Sequence, residues 1–187
     1  MKLAYIIFDG ITWLDLIGIY DPVSRLKSHG YLPDLHWEIC SFTTVVRDNF
    51  GLQLLPTIIN ASLAGYDAVI VPGGSGTRRL MEDQHFLDWF KTAAPAKYKI
   101  SICTGSLLLG AAGWLNGKKA TTHFNEYETL KPFCKEVSAE RIVEDNDIIT
   151  AGAVAASLDL GLYLCNKWAG PEAAAAISSS MNYTGKI

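Results

Sequence analysis

Apolar residues fall along the chain in short blocks separated by turn-forming residues, and the spacing inside each block assigns its element. Residues 2–8 (KLAYIIF) are almost continuously apolar without alternation, the pattern of a parallel strand covered on both faces. Asp9-Gly10 then marks a turn. Over residues 14–28, Leu14, Ile17, Val23 and Leu26 recur at helical spacing, and Asp21-Pro22 is expected to kink or restart that helix. Residues 35–42 form a second strand pattern. Residues 43–55, with Asp48-Asn49 and Gly51 between β-prone runs, predict a small hairpin or an excursion at the sheet edge. YDAVIVPGG, starting at Tyr66, is a third buried strand that ends in Pro72-Gly73-Gly74.

Residues 82–94 carry Phe86, Trp89, Phe90 and Ala93 on one helical face and lead into KYKISICTGSLLLGAAG, which starts at Lys97. Its β-branched strand (residues 100–102) stops at Cys103 and passes at once into a helix beginning Thr104-Gly105. That is the layout of a nucleophile elbow, in which small residues two places either side, here Ser101 and Gly105, let strand and helix approach. A turn at 114–117, a strand at 119–122 and a helix at 125–130 follow. The pattern then predicts a hairpin of 141–144 with 148–151 around Asp145-Asn146, an apolar helix over 153–168 opened by Gly152, and a final helix from Pro171. Alternating strands and helices imply one α/β domain over residues 1–187, with a mainly parallel sheet flanked by helices and ligands bound beyond the strands' carboxyl ends.

Composition narrows the function classes. Apolar content of 49% against 19% charged residues excludes a disordered chain, and a mean hydropathy of +0.16 suggests much buried surface, including a subunit interface. A net charge of −3 without a clustered Lys/Arg run gives no footprint for nucleic acid or a membrane surface. The apolar runs are too short to span a bilayer, and no apolar segment followed by a small-residue cleavage site opens the chain, so a cytoplasmic protein is expected. Cys40, Cys103, Cys134 and Cys165 are too far apart for structural zinc or a redox dithiol. Cys40 and Cys165 read as core, and Cys134 as a half-exposed loop thiol.

The loops after the first, third and fourth strands can converge. At the start of its helix Cys103 would be favoured as thiolate by free N–H groups and the helix dipole; the alternative is a small buried hydrophobe. Gly73-Gly74 has no side chains in the way, so its amides, with that of Thr104, suit an oxyanion hole, or else form a turn that serves only the fold. Asp15, in TWLDLIG, is either an N-cap or a desolvated acid able to carry a proton. His123 follows a strand and is more simply a hydrogen-bonded structural residue than a base. Trp13, Trp114 and Phe124 are candidate apolar walls, or core.

WLDLIGIYDP, VIVPGG and ICTGSLLLGAAGWLNGKKATTH together resemble the ThiJ/PfpI superfamily, in register over nearly the whole chain, and within it the isonitrile hydratase branch. The resemblance implies a class I glutamine amidotransferase-like fold, a flavodoxin-like three-layer sandwich. It also implies Cys103 as nucleophile, Asp15 as its acid/base partner and Thr104 as a further site residue, with Gly73, Gly74, Trp13 and His123 around a small-molecule substrate. No metal or other cofactor is required by that chemistry, and a homodimer is expected. Thr104 stands where the superfamily's proteases place His, so a local Cys-His dyad and peptidase activity are not expected. The late AGAVAASLD departs from the branch's usual Gly- and Thr-containing stretch. Two other readings are a non-enzymatic ligand-binding or redox-responsive protein, and, more distantly, a glyoxalase or deglycase, which would pair Cys with Glu and His. The pattern also resembles the sensing half of AraC-type regulators, although the chain to Ile187 leaves no room for a helix-turn-helix module.

Overall fold

A computed structural model describes residues 1–185. In chain order its strands are β1 (Lys2–Ile7), β2 (His36–Ser41), β3 (Val46–Arg47), β4 (Gln53–Leu54), β5 (Ile58–Ile59), β6 (Ala68–Val71), β7 (Tyr98–Ile102), β8 (Lys119–Ala120), β9 (Glu136–Val137), β10 (Ile142–Asp145) and β11 (Ile148–Ala151). The α-helices are α1 (Trp13–Ser28), α2 (Gly76–Leu80), α3 (Gln84–Lys91), α4 (Gly105–Ala111), α5 (Tyr127–Leu130), α6 (Ala156–Ala169) and α7 (Pro171–Ser180). Seven strands form the main sheet in the order β10-β11-β7-β6-β1-β2-β5, and every pairing except β10 with β11 is parallel. This is the flavodoxin-like α/β architecture expected. Leu3 to Ile7 of β1 and all of β6 are fully buried because helices cover both faces. α1, α6 and α7 pack together on one face, and α4 packs on β6 and β7 from the other.

The hairpin predicted over 43–55 is the β3–β4 pair, and β10–β11 turns through Asn146 in the left-handed region (φ +59°). Three short elements had no visible period: β5 at the sheet edge, α2, and β9, which pairs with β8 in a separate two-stranded ladder. The helix predicted from 153 begins instead at Ala156, after a turn, and the segment expected as one helix over 125–130 is split between a 3-10 turn at Phe124–Glu126 and α5.

Pro22 does not restart α1, which runs unbroken from Trp13 to Ser28. The reason lies in the packing of α6. A Cβ on Gly161 would come within 2.4 Å of Pro22 Cγ and 2.8 Å of the Gly18 carbonyl, and one on Gly18 within 2.1 Å of Ser157 Oγ. The two helices therefore cross almost backbone to backbone at the proline, with Ser157 Oγ donating to the Leu14 carbonyl (3.1 Å). Burial along this seam outweighs the one helical hydrogen bond that proline removes.

Gly161→Ala tests the seam. Helix propensity favours alanine by about 1 kcal/mol, but the methyl group has backbone in its way, so a net destabilisation of about 1–3 kcal/mol is expected. A urea midpoint equal to or above wild type would contradict the close crossing.

Candidate active site

The elbow is present. Cys103 directly follows β7 with φ +56°, a left-handed conformation costing a non-glycine residue roughly 1–2 kcal/mol. Hydrogen bonds on both sides of the residue hold it there. Its N–H lies between the carbonyls of Ala151 (3.0 Å) and Gly152 (2.8 Å). Its carbonyl accepts from Thr122 Oγ1 (3.0 Å) and Ser106 Oγ (3.2 Å). At Gly105 a Cβ would lie 2.2 Å from the Val71 carbonyl, so no larger residue lets α4 start so close to β6. Gly73 is confined in the same way, since a Cβ there would reach 2.8 Å from Cys103 Cβ.

Asp15 is not a helix cap. Thr12 occupies the N-cap position, and the Asp15 side chain instead reaches across to the loop after β6, where Oδ2 accepts from the Gly73 N–H (2.9 Å). The carboxyl is fully buried, and Oδ1 has no hydrogen-bond partner among the described residues. Burial raises its pKa to about 7, against the opposing effects of the Gly73 N–H and the Cys103 thiol beside it. The Cys103 thiol is pushed up to about 12, by burial first and then by the negative charge of Asp15, while the N–H and hydroxyl of Thr104 pull the other way. The expected helix-terminus thiolate is thus overturned: desolvation and a neighbouring carboxyl outweigh the first turn of α4, and the proton rests on sulfur. The thiol and the carboxyl are close enough to influence each other's ionisation without an aligned hydrogen bond between them.

The oxyanion reading of Gly73-Gly74 also fails in this state, because both amides are committed. Gly73 N–H serves Asp15, and Gly74 N–H donates to Thr104 Oγ1 (2.9 Å), whose hydroxyl is also within reach of the Gly74 carbonyl (3.1 Å). The Thr104 N–H is the amide left facing the sulfur.

Cys103 and Thr104 form the floor of an open crevice of about 250 Å3, with Gly74 and His123 also on its walls. His123 Nδ1 accepts from the Asn125 N–H (3.2 Å) and its ring stacks on Phe124, a structural use. None of the three predicted aromatic walls lines the crevice. Trp13 faces an apolar groove with Ile17 and Leu54, Trp114 packs on Phe90 in the core, and Phe124 borders a neighbouring cleft. Sequence reasoning missed Arg78, Asn125 and Glu126, which do line it. Arg78 Nη1 donates to the Gly74 carbonyl (3.0 Å) and Nη2 pairs with Glu126. The available signal was position, a basic residue four places beyond the Gly-Gly turn at a strand end.

With this geometry in hand, comparison with known proteins places the chain. The sequence pattern of the DJ-1/PfpI family matches residues 1–167. The chain belongs to the DJ-1/PfpI family. It is 35% identical to isonitrile hydratase from Pseudomonas putida over 98% of its own length and 78% of that protein. It is 25% identical to the HTH-type transcriptional regulator GbdR from Pseudomonas aeruginosa over 97% of its length, spanning half of the regulator. A THiJ/PfpI family protein from Pseudomonas syringae superposes with a TM-score of 0.88 at 29% identity, over 100% of this chain and 76% of the other. Drosophila melanogaster DJ-1beta shares the fold, with a TM-score of 0.83, 19% identity and 98% coverage of each chain. Other DJ-1/PfpI relatives are therefore regulators or DJ-1 proteins as well as an enzyme.

The buried carboxyl makes stability depend on pH. With a pKa of about 7 folded and near 3.8 unfolded, Asp15 holds more proton in the folded state between those values, so stability falls as pH rises through that window, by roughly 4 kcal/mol in total. Asp15→Asn removes this slope. Its melting temperature should exceed that of wild type at pH 8, with the gap closing towards pH 4; a gap independent of pH would mean that the carboxyl is not desolvated.

Proposed function

We propose that the protein is a cysteine-dependent isonitrile hydratase, adding water to an isocyanide to give an N-substituted formamide. The observation that carries this reading is the buried pair of Cys103 thiol and Asp15 carboxyl at the elbow, opening on a crevice, in a chain 35% identical to an isonitrile hydratase. A carboxyl with a pKa of about 7 can accept and return a proton near neutrality. The terminal carbon of an isocyanide takes both a proton and a nucleophile. Asp15, ionised, accepts the thiol proton, the sulfur bonds to the carbon, and Asp15 delivers the same proton to that carbon, leaving R–N=CH–S–Cys103. The Thr104 N–H steadies the sulfur while it is anionic. Water then adds to this carbon, the C–S bond breaks, the thiol regains its proton, and R–NH–CHO leaves. Substrate and water together supply every atom of the product.

A second reading, a non-enzymatic ligand-binding or redox-responsive protein, draws on the similarity to GbdR. A buried thiol with a pKa of about 12 counts against ready oxidation.

We also propose a homodimer. Leu14 and Ile17 of α1 are about half exposed, Ile17 and Trp13 line a groove with Leu52 and Leu54 of the β3–β4 hairpin, and Phe50 between those strands is 95% exposed. A contiguous apolar surface of this kind suits a two-fold contact. Sedimentation should report about twice the 20.4 kDa chain mass, and Ile17→Glu should shift wild-type dimer towards monomer without unfolding. A clean wild-type monomer at micromolar concentration would remove this proposal.

Turnover of an alkyl isocyanide by wild type, Asp15→Asn and Cys103→Ala tests the reaction. Cys103→Ala should abolish formamide production and Asp15→Asn should lower it by about two or more orders of magnitude with the fold intact. Wild-type kcat/KM should rise with pH up to about 7, as Asp15 ionises. Full activity in Asp15→Asn would sink the proton transfer. No turnover of any isocyanide by wild type, with peroxide modifying Cys103, would favour the second reading.

A further inference from the structure

Most of the residues that line the crevice are of polar type where the sequence had suggested aromatic ones. Around Cys103 the side chains facing it come from Thr12, Arg78, His123, Asn125 and Glu126, and Val154 is the apolar contribution among the described residues. Their charges are already spent on one another. Arg78 pairs with Glu126 and also donates to the Gly74 carbonyl (3.0 Å), which fixes the guanidinium beside the Gly-Gly loop. Burial opposes ionisation of Glu126, but hydrogen bonds from Arg78 and Thr129 and the positive charge of Arg78 and His123 outweigh it and hold its pKa below the ordinary value. An anionic substituent reaching Arg78 would therefore meet Glu126, and a cationic one reaching Glu126 would meet Arg78. Neutral hydrogen-bonding capacity is still available. Because His123 Nδ1 accepts from the Asn125 N–H, the neutral ring carries its proton on Nε2 and is a donor there.

We propose that the isocyanide this site takes carries a polar but uncharged substituent, such as a carboxamide or hydroxyl, recognised by Arg78, Glu126 and His123. The proposal rests on the hydratase reading and names its substrate class. Hydrogen-bonding groups around a site favour a ligand that can pair with them over one that leaves them unpaired, whereas apolar walls discriminate weakly.

The experiment compares three isocyanides with the full-length protein: isocyanoacetamide (neutral polar), isocyanoacetate (anionic) and cyclohexyl isocyanide (apolar). The amide should exceed cyclohexyl isocyanide in kcat/KM by tenfold or more, and should also exceed the acetate. Glu126→Gln leaves the Arg78 charge unopposed, so the acetate-to-amide ratio should rise at least severalfold; a ratio within one variant is insensitive to how much of it folds. Cyclohexyl isocyanide used as well as the amide, acetate preferred by wild type, or a ratio unmoved in Glu126→Gln would each overturn the proposal while leaving the hydratase reading standing. Failure of wild type on all three would overturn both together.

Discussion

One backbone turn organises the centre of this molecule. Cys103 adopts a left-handed conformation that few side chains tolerate, and it is held by four hydrogen bonds from three separate segments: β11 and the residue after it, the first turn of α4, and Thr122 beyond β8. No single contact needs to be strong, because a strained residue persists when its surroundings over-determine it. The same turn dictates glycine at 73 and 105, since both lie where a Cβ would strike the backbone or the Cys103 side chain. Once Gly73 is pressed against the elbow, its N–H points at Asp15, and the carboxyl arrives beside the sulfur as a consequence.

That arrangement sets stability against chemistry. Burying a carboxyl that keeps only one hydrogen bond is costly, and the cost is what brings its pKa near neutrality. The resting thiol stays protonated, and in the proposed reaction its nucleophilicity would arise only as the proton moves to Asp15.

How much of this the sequence disclosed follows from the physics of each element. β1, β6 and β7 were legible because strands covered on both faces must be apolar throughout, and the elbow because small residues must flank its cysteine. The course of α1 was not, because proline's local effect is visible in one dimension while the α6 seam that overrides it joins residues more than 130 positions apart. α2, β5 and β9 are too short to show a period. Asp15 could be narrowed to cap or buried acid, but the choice depends on where a loop 58 residues away places one N–H. The glycine amides misled for the same reason: a residue can be free of side chain and still have its donor occupied. Trp13, expected at the site, lines a separate groove with Ile17 and Leu54, while its neighbour Thr12 lines the crevice.

The β3–β4 hairpin looks peripheral, yet it is fastened to the loop that precedes α1. The Arg47 N–H donates to Asp9 Oδ1 (2.9 Å), the Gly10 N–H donates to the Arg47 carbonyl (2.7 Å), and Asn49 bonds Ser75 at the rim of the crevice (2.8 Å). Thr12, two residues beyond Gly10, occupies the N-cap of the helix that bears the acid. The outermost apolar surface and the helix that bears the innermost carboxyl are thus fastened to one and the same loop.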